Sequence, residues 1–355
     1  MADTDEQDPL WKPSAEQMAT ARMTHFMGWA GARHAREFAD YDALWQWSID
    51  ELEEFWGDVW EYCGVCASAP YERVLARAEM PGANWFEGTR LNYAENLLRR
   101  KLDAPGLLAG RSEVPSTSDR WRSGCVPRMG YRSRIGDDER DARANRTAVL
   151  HASELRALGE LSWGELTEQV AAAAAGLRAL GVQRGDRVAA YMPNIPETLV
   201  AFLATASIGA IWSCAAPEFG ASSVIDRFAQ IEPKVLLVVD GYRHGGKDFD
   251  RTDALKSILG GLPSVEHAVL LGYLDESAAP DGLLSDQAGQ ASDRRSPGVP
   301  GIEGRSSFGA LSWSDLLALG SPGGVAAELA FEQVPFDHPL WVLYSSGTTG
   351  LPKAI

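Results

Sequence analysis

The sequence predicts an α/β protein with a largely parallel sheet. Between residues 147 and 271, apolar strand patterns alternate with helix patterns, the arrangement that builds parallel sheets. The run Val235–Val239 is apolar at every position, as expected of a central parallel strand covered on both faces. Ser162 and Glu165 form an S-x-x-E capping signal at the start of a helix that ends at Gly181.

The individual elements follow from apolar periodicity and from the breakers between them. The predicted strands are residues 147–151, 187–192, 211–214, 234–239, 267–271 and 341–344. The predicted helices are residues 162–180, 197–208 and 223–231. The second helix is apolar around most of its circumference, so we expect it to be buried.

The first hundred residues differ from the rest in their tryptophan content. Seven of the twelve tryptophans lie between residues 10 and 98. Trp56 and Trp60 are four positions apart and share a helical face with Leu52, Phe55 and Val59, which indicates helix packing rather than a cofactor site. We therefore expect residues 1–100 to form a helical extension.

Two stretches have the composition of exposed loops. Residues 101–145 combine prolines, serines and arginines without any helix or strand period, and residues 275–307 are rich in Gly, Ser, Asp and Pro. The arginines of the first stretch could contact an anionic partner, but a solvated insertion is the favoured interpretation. We predict a polar insertion and a polar loop.

The charge balance excludes some classes of function. The chain carries 33 basic and 49 acidic side chains, with a net charge of −16 at pH 7. A general nucleic-acid binder needs clustered Lys and Arg in excess. The acidic N-terminus lacks the pattern of a signal peptide, and the apolar run 198–214 contains Thr, Ser and Gly. We expect no nucleic-acid partner, no membrane partner and a cytoplasmic location.

The most specific feature lies between Tyr344 and Lys353, where an apolar segment leads into two serines, two threonines and two glycines before the lysine. Glycines let a backbone approach an anion closely, N–H groups and hydroxyls bind it, and the lysine adds positive charge. In a Walker A loop Lys directly follows Gly, whereas here Leu351 and Pro352 intervene. The pattern predicts a triphosphate-binding loop outside the P-loop NTPases.

The decapeptide YSSGTTGLPK at 344–353 resembles the ATP-phosphate loop of the adenylate-forming superfamily, and GVQRGDRVAAYMPNIPE at 181–197 is similar to a second segment of it. WFEGTRLNYAENLL at 85–98 resembles the N-terminal extension of short-chain acyl-CoA synthetases. Residues 217–247 and 338–355 are most similar to the acetoacetyl-CoA synthetase branch.

This resemblance implies the N-terminal part of the adenylate-forming enzyme fold, with residues 1–100 as the extension and 146–355 as the AMP-binding domain. It implies a two-step reaction in which acetoacetate attacks ATP, with Mg²⁺ as cofactor, to give an acyl-adenylate and diphosphate. CoA then displaces AMP as the second co-substrate. The resemblance assigns the ATP phosphates to Ser345, Ser346, Gly347, Thr348, Thr349, Gly350 and Lys353. Their role would be to stabilise charge on the leaving diphosphate.

Arg243 and Lys247 follow the predicted strand 234–239 in a Gly-rich turn. The resemblance makes them candidates for the phosphates of the CoA nucleotide, with a plain solvated loop as the alternative. No residue of the chain is assigned a catalytic or metal-binding role. Cys63 and Cys66 form a lone C-x-x-C without the second pair or the histidines that a zinc site requires.

The resemblance also implies parts that lie after residue 355 in such enzymes: the adenine-binding segment, a Mg-binding Glu, a ribose-binding Asp and a C-terminal lid domain. We therefore expect the 355-residue chain to be an incomplete, inactive fragment. Acetyl- or propionyl-CoA synthetase is one alternative. A non-catalytic, truncated protein that binds nucleotide or serves as an interaction partner is the other.

Overall fold

The computed structural model describes residues 11–99, 144–283, 309–325, 327–345 and 350–355. Nearly all of the predicted insertion 101–145 and most of the predicted loop 275–307 lie outside these residues. The described chain divides into two compact units. One contains residues 11–89 and Arg99, and the other contains Arg90–Leu98 and the described residues from 144 onward.

The first unit packs helices around aromatic side chains. Its elements are α1 (Ala15–Ala19), α2 (Arg22–His34), α3 (Tyr41–Asp50), α4 (Leu52–Cys63), β1 (Ala67–Ala69), β2 (Arg73–Arg77) and β3 (Asn84–Glu87). Trp60 packs against Phe86 with ring centroids 4.5 Å apart, and Trp56 packs edge-on against Trp85 at 5.9 Å. The predicted helical packing of Trp56 and Trp60 is confirmed.

The second unit contains the predicted parallel sheet. Its strands are β4 (Arg90–Leu91), β5 (Thr147–His151), β6 (Gly159–Ser162), β7 (Arg187–Tyr191), β8 (Ile211–Ala215), β9 (Val235–Val239), β10 (Gly241–His244), β11 (Lys247–Asp250), β12 (His267–Leu271), β13 (Gly309–Ser312), β14 (Val334–Pro335), β15 (Tyr344–Ser345) and β16 (Lys353–Ala354). Among the described residues, five of these form one sheet in the order β13-β12-β9-β7-β8, and every neighbouring pair is parallel. The central strand, β9, is buried at all five positions, as predicted.

Helices cover both faces of this sheet. They are α5 (Tyr93–Leu98), α6 (Trp163–Ala179), α7 (Pro196–Ile208), α8 (Ala221–Phe228), α9 (Thr252–Gly261) and α10 (Trp313–Gly320). Successive strand residues point to opposite faces. Leu237 therefore packs in the core cluster of α6, α7 and α10, whereas Leu236 packs in the cluster of α8 and α9. The result is a three-layer α/β/α unit.

Helix α6 shows how local sequence sets an element. Ser162 accepts the Glu165 N–H and Glu165 accepts the Ser162 N–H, so the predicted capping box is confirmed. Farther along the helix, a Cβ on Gly176 would lie 2.2 Å from the Leu316 carbonyl oxygen. One on Gly320 would lie 1.9 Å from that of Ala172. Helices α6 and α10 therefore pack backbone against backbone.

The structure departs from the predicted alternation near the start of the second unit. Thr147–His151 is the predicted strand, but it pairs antiparallel with Gly159–Ser162 in a separate two-stranded sheet. The short connection between the two explains this, because antiparallel neighbours need only a turn whereas parallel neighbours need a crossover. No helix among the described residues is long and apolar enough to cross a membrane.

Candidate functional site

The chain reaches the predicted phosphate loop along the edge of the parallel sheet. The Trp212 N–H donates to the Leu340 carbonyl at 3.0 Å, and the Val342 N–H donates to the Trp212 carbonyl at 2.8 Å. Trp212 and Trp341 form a parallel bridge. The predicted strand 341–344 is thus only partly regular: one bridge beside β8, followed by the two-residue strand β15.

The loop itself belongs to a β-hairpin. Strands β15 and β16 pair antiparallel, with Ser345 opposite Lys353, and Leu343 and Ile355 exchange backbone hydrogen bonds of 3.1 and 2.8 Å. Ser345 is half-buried and Lys353 is exposed. Gly350 has φ +92°, which favours glycine, and an added Cβ there would meet no described atom within 4 Å. Ser346, Gly347, Thr348 and Thr349 lie outside the described residues.

Helix α8 and the turn after it hold the returning arm of this hairpin. The Gln230 side-chain amide donates to the Pro352 carbonyl at 2.8 Å, and its oxygen accepts the Ala354 N–H at 3.2 Å. The same amide nitrogen donates to the Asp226 carbonyl at 2.7 Å. Gln230 therefore fastens the residues on either side of Lys353 to the end of α8.

Aromatic packing supports the outgoing arm. The Arg227 guanidinium carbon lies 6.0 Å from the ring centroid of Tyr344 and 5.0 Å from that of Phe219. Burial raises the pKa of the Tyr344 hydroxyl, while Ser213 and Arg227 act in the opposite direction. Tyr344 is thus a half-buried side chain that packs at the base of the loop.

The candidate CoA residues lie on a second hairpin, formed by β10 and β11 directly after the central strand. Arg243 pairs with Asp248 through contacts of 2.5 and 3.1 Å, and this interaction lowers the pKa of Asp248. Lys247 is exposed and lies opposite His244. The basic charge of Arg243 is therefore already partnered by a carboxylate.

The topology places both hairpins at the same edge of the sheet. Segment 340–342 runs parallel to β8, so the phosphate loop leaves at the carboxyl edge, and the β10–β11 hairpin begins where β9 ends at that edge. Strands β7 and β8 lie between the two departure points. The chain goes from β7 outward to β8 and then back across to β9, so the connections reverse direction between β7 and β9. Open α/β sheets bind ligands in the crevice at such a reversal.

Sequence reasoning missed Asp240, which joins the ends of β9 and β12 at the same edge of the sheet. The Asp240 carboxylate, directly after β9, accepts the backbone N–H groups of Tyr273, Leu274 and Asp275 at 2.6, 2.9 and 2.7 Å. It thereby holds the turn that follows β12. The sequence does show an acidic residue directly after an apolar strand, which could have marked Asp240 as a candidate. Nothing near it in sequence indicated that its partners would be the N–H groups after β12. The described residues contain no cluster of three or more His, Cys, Asp or Glu side chains placed to bind a metal ion.

Comparisons with known proteins agree with this architecture. Residues 41–97 match the model described as acetyl-coenzyme A synthetase N-terminus. The chain is 36% identical over 347 residues to an acetoacetyl-coenzyme A synthetase of Rhizobium meliloti. The aligned region covers 98% of this chain and 42% of that relative. It is 32% identical over 348 residues to a malonamoyl-CoA synthetase of Penicillium aethiopicum, covering 98% and 40%.

A solved structure shares the fold. Acetoacetyl-CoA synthetase from Streptomyces lividans matches with a TM-score of 0.73 and 40% identity, over 98% of this chain and 43% of that one. The chain thus spans about two fifths of the length of the relatives that it matches. The model described as AMP-binding enzyme matches residues 138–355, more than half of the chain, and the chain therefore belongs to the AMP-binding enzyme family.

Proposed function

We propose that this chain forms part of an ATP-dependent acid–thiol ligase that converts acetoacetate, ATP and CoA to acetoacetyl-CoA, AMP and diphosphate. The observation that carries the proposal is the hairpin that places Ser345 opposite Lys353 at the carboxyl edge of a parallel sheet. Support also comes from relatives named acetoacetyl-CoA synthetase.

In the proposed reaction the loop binds the β- and γ-phosphates of ATP. Ser345 and Lys353 stand at its two ends, and Ser346, Gly347, Thr348, Thr349 and Gly350 complete it. Hydroxyl and amide donors together with one ammonium suit an anion that gains charge as it leaves. The contribution of these residues is electrostatic, and Mg²⁺ would accompany the nucleotide as further positive charge.

Arg243 and Lys247 are proposed to bind the phosphates of the CoA nucleotide. Their hairpin begins at the end of the central strand, on the sheet edge that the phosphate loop also occupies. The CoA thiol must reach the acyl-adenylate, and a nucleotide site on the same edge of the sheet is compatible with that requirement, which supports this assignment. We also propose the division into an extension (1–100), a polar insertion (101–145) and an AMP-binding domain (146–355), and a cytoplasmic location, where ATP and CoA are available.

The acid is proposed to carry a carbonyl group two carbons from the carboxylate. Acetoacetate and malonamate, the acids implied by the names of two relatives, share that carbonyl and differ only in a terminal methyl or amino group. Acetate and propionate lack the carbonyl. Acetoacetate is preferred here because a relative of 36% identity and a solved structure of 40% identity both carry the name acetoacetyl-CoA synthetase.

The direct test measures binding of a fluorescent ATP analogue, with Mg²⁺, to the 355-residue chain. Lys353→Ala should weaken binding by about tenfold, because a charge-assisted contact to phosphate is lost. Lys256→Ala, on α9, is the matched control and should bind as the parent does. Equal binding by parent and Lys353→Ala would contradict the proposed loop.

Catalysis is tested by joining the chain to the part of the Streptomyces lividans enzyme that lies beyond the matched region. We expect AMP release with acetoacetate and CoA, and its loss in the hybrid that carries Lys353→Ala. AMP release with acetate or propionate instead would favour the alternative synthetases. Failure of the chain to bind nucleotide at all would favour a non-catalytic interaction protein.

A further inference from the structure

The tip of the β10–β11 hairpin contains two consecutive backbone donors aimed at one anion. Gly245 and Gly246 both adopt positive φ values, +59° and +72°. Their N–H groups donate to the two carboxylate oxygens of Glu154, each at 2.7 Å. Successive N–H groups in such a turn form an anion-binding concavity. In this structure the anion that occupies it is a side chain of the same chain, 91 and 92 residues away.

Glu154 lies in the turn between β5 and β6, and hydrogen bonds from several residues fix this turn. The neighbouring Ser153 hydroxyl accepts the backbone N–H groups of Leu155 and Arg156 at 3.2 and 3.1 Å. Tyr273 donates its hydroxyl to the same oxygen at 2.8 Å, and Arg156 pairs with Glu197 at 2.9 Å. The carboxylate therefore reaches the tip from an anchored position.

The surroundings of the tip favour an anion of higher charge than one carboxylate. Arg243, His244 and Lys247 flank the two glycines, and Asp248 offsets only Arg243. The two glycine N–H groups lower the pKa of Glu154, with smaller contributions from His244 and Arg243. A phosphate monoester carries more charge and one more acceptor oxygen than a carboxylate. It can therefore bind both N–H groups and still face the basic side chains.

We propose that Gly245 and Gly246 form a phosphate-binding site in which Glu154 is an internal competitor that the incoming phosphate displaces. The inference rests on the proposed function only for the source of the phosphate, the CoA nucleotide. Glu154 thereby sets a minimum binding strength for the ligand. A monoanion that binds the two N–H groups more weakly than the Glu154 carboxylate cannot displace it. Arg243 is likewise paired with the Asp248 carboxylate. Phosphate binding would therefore replace carboxylates of the chain with phosphate oxygens at both positions.

The test is a titration of the ¹⁵N-glycine-labelled chain with inorganic phosphate, following the amide signals of Gly245 and Gly246. In Glu154→Gln these signals should respond at a phosphate concentration about tenfold lower than in the parent, because a charged competitor has become neutral. Glu168→Gln makes the same charge change on an exposed position of α6 and should behave as the parent. Ser153→Ala keeps the carboxylate but loosens its turn, so it should give an intermediate gain.

Equal phosphate response in the parent and in Glu154→Gln, or no response in either, would overturn the inference. A second titration with adenosine 3′,5′-bisphosphate separates it from the proposed function. If phosphate binds more tightly to Glu154→Gln but the bisphosphate binds no better than phosphate, the competitor role stands and the CoA assignment fails. If the bisphosphate binds the parent tightly and Glu154→Gln gains nothing, the assignment stands and the competitor role fails.

Discussion

Gln230 hydrogen-bonds Pro352 across 122 residues of sequence, with 2.8 Å between its side-chain nitrogen and the proline carbonyl oxygen. Its oxygen meanwhile accepts the N–H of Ala354. The Gln230 amide thus forms a hydrogen bond with one residue on each side of Lys353, as the backbone of a neighbouring β-strand would. The position of Lys353 in the hairpin therefore depends on a side chain from the turn after α8.

Gln230→Ala should loosen the returning arm of the loop. Losing a hydrogen bond of this kind costs about 1 kcal/mol, so we expect amide hydrogen exchange at Ala354 to quicken by about fivefold. ATP affinity should weaken with it. Gln183→Ala, at an exposed turn before β7, is the control. Unchanged exchange in Gln230→Ala would show that the β15–β16 pairing holds the loop unaided.

Gly320→Ala should destabilise the second unit, because its Cβ would lie 1.9 Å from the Ala172 carbonyl oxygen between α6 and α10. Separating packed helices to admit a methyl group costs about 1–3 kcal/mol of unfolding free energy. Gly28→Ala in α2 is the contrast, since an added Cβ there meets no described atom within 4 Å. That change should stabilise its helix by about 0.5–1 kcal/mol. Urea unfolding measures both, and equal effects would refute the close packing.

Asn92→Ala should be among the most damaging polar substitutions. The buried Asn92 amide donates to the carbonyls of Ala206 and Glu332, both at 2.8 Å, and its oxygen accepts the Glu95 N–H at 3.2 Å. Leaving these buried groups unpaired costs about 1–3 kcal/mol. Asn84→Ala, which removes an exposed bond to Glu87, should cost less than about 1 kcal/mol. Similar losses in the two variants, measured by thermal unfolding, would contradict the buried role.

Stability should fall in mildly acidic solution because of His267. Burial in β12 lowers the pKa of His267 below 6.5, so the unfolded chain binds a proton more readily than the folded one. The contribution of neutral His267 to the free energy of unfolding is therefore complete above about pH 6.5. It is lost as the pH falls from there through the pKa that His267 has in the folded chain. The slope from this one proton is at most about 1.4 kcal/mol per pH unit. His267→Gln should remove that part of the slope in urea unfolding between pH 7.5 and 5.5, and an unchanged slope would exclude His267 as its source.

Local patterns predicted much of the sheet and little of its connectivity. The strands at Arg187–Tyr191, Val235–Val239 and His267–Leu271 were found because their apolar runs are continuous, and α6 because its capping box is entirely local. The strand at Thr147–His151 was found, but its antiparallel partner Gly159–Ser162 was not, because the mixed sequence of that partner has no clear period.

Amino-acid order alone thus established the alternation of strands and helices, the tryptophan-rich helices and the glycine-, serine- and threonine-rich loop that ends at Lys353. These features depend on interactions within a few residues, so short segments of sequence encode them. Only the tertiary structure decided the order of the strands. It also decided the hydrogen bonds of Gln230, of Asn92, and of Glu154 with Gly245 and Gly246. The contacts of Glu154 with Gly245, of Gln230 with Pro352 and of Asn92 with Glu332 join residues roughly 90 to 240 positions apart. Whether such groups meet depends on the packing of every element between them.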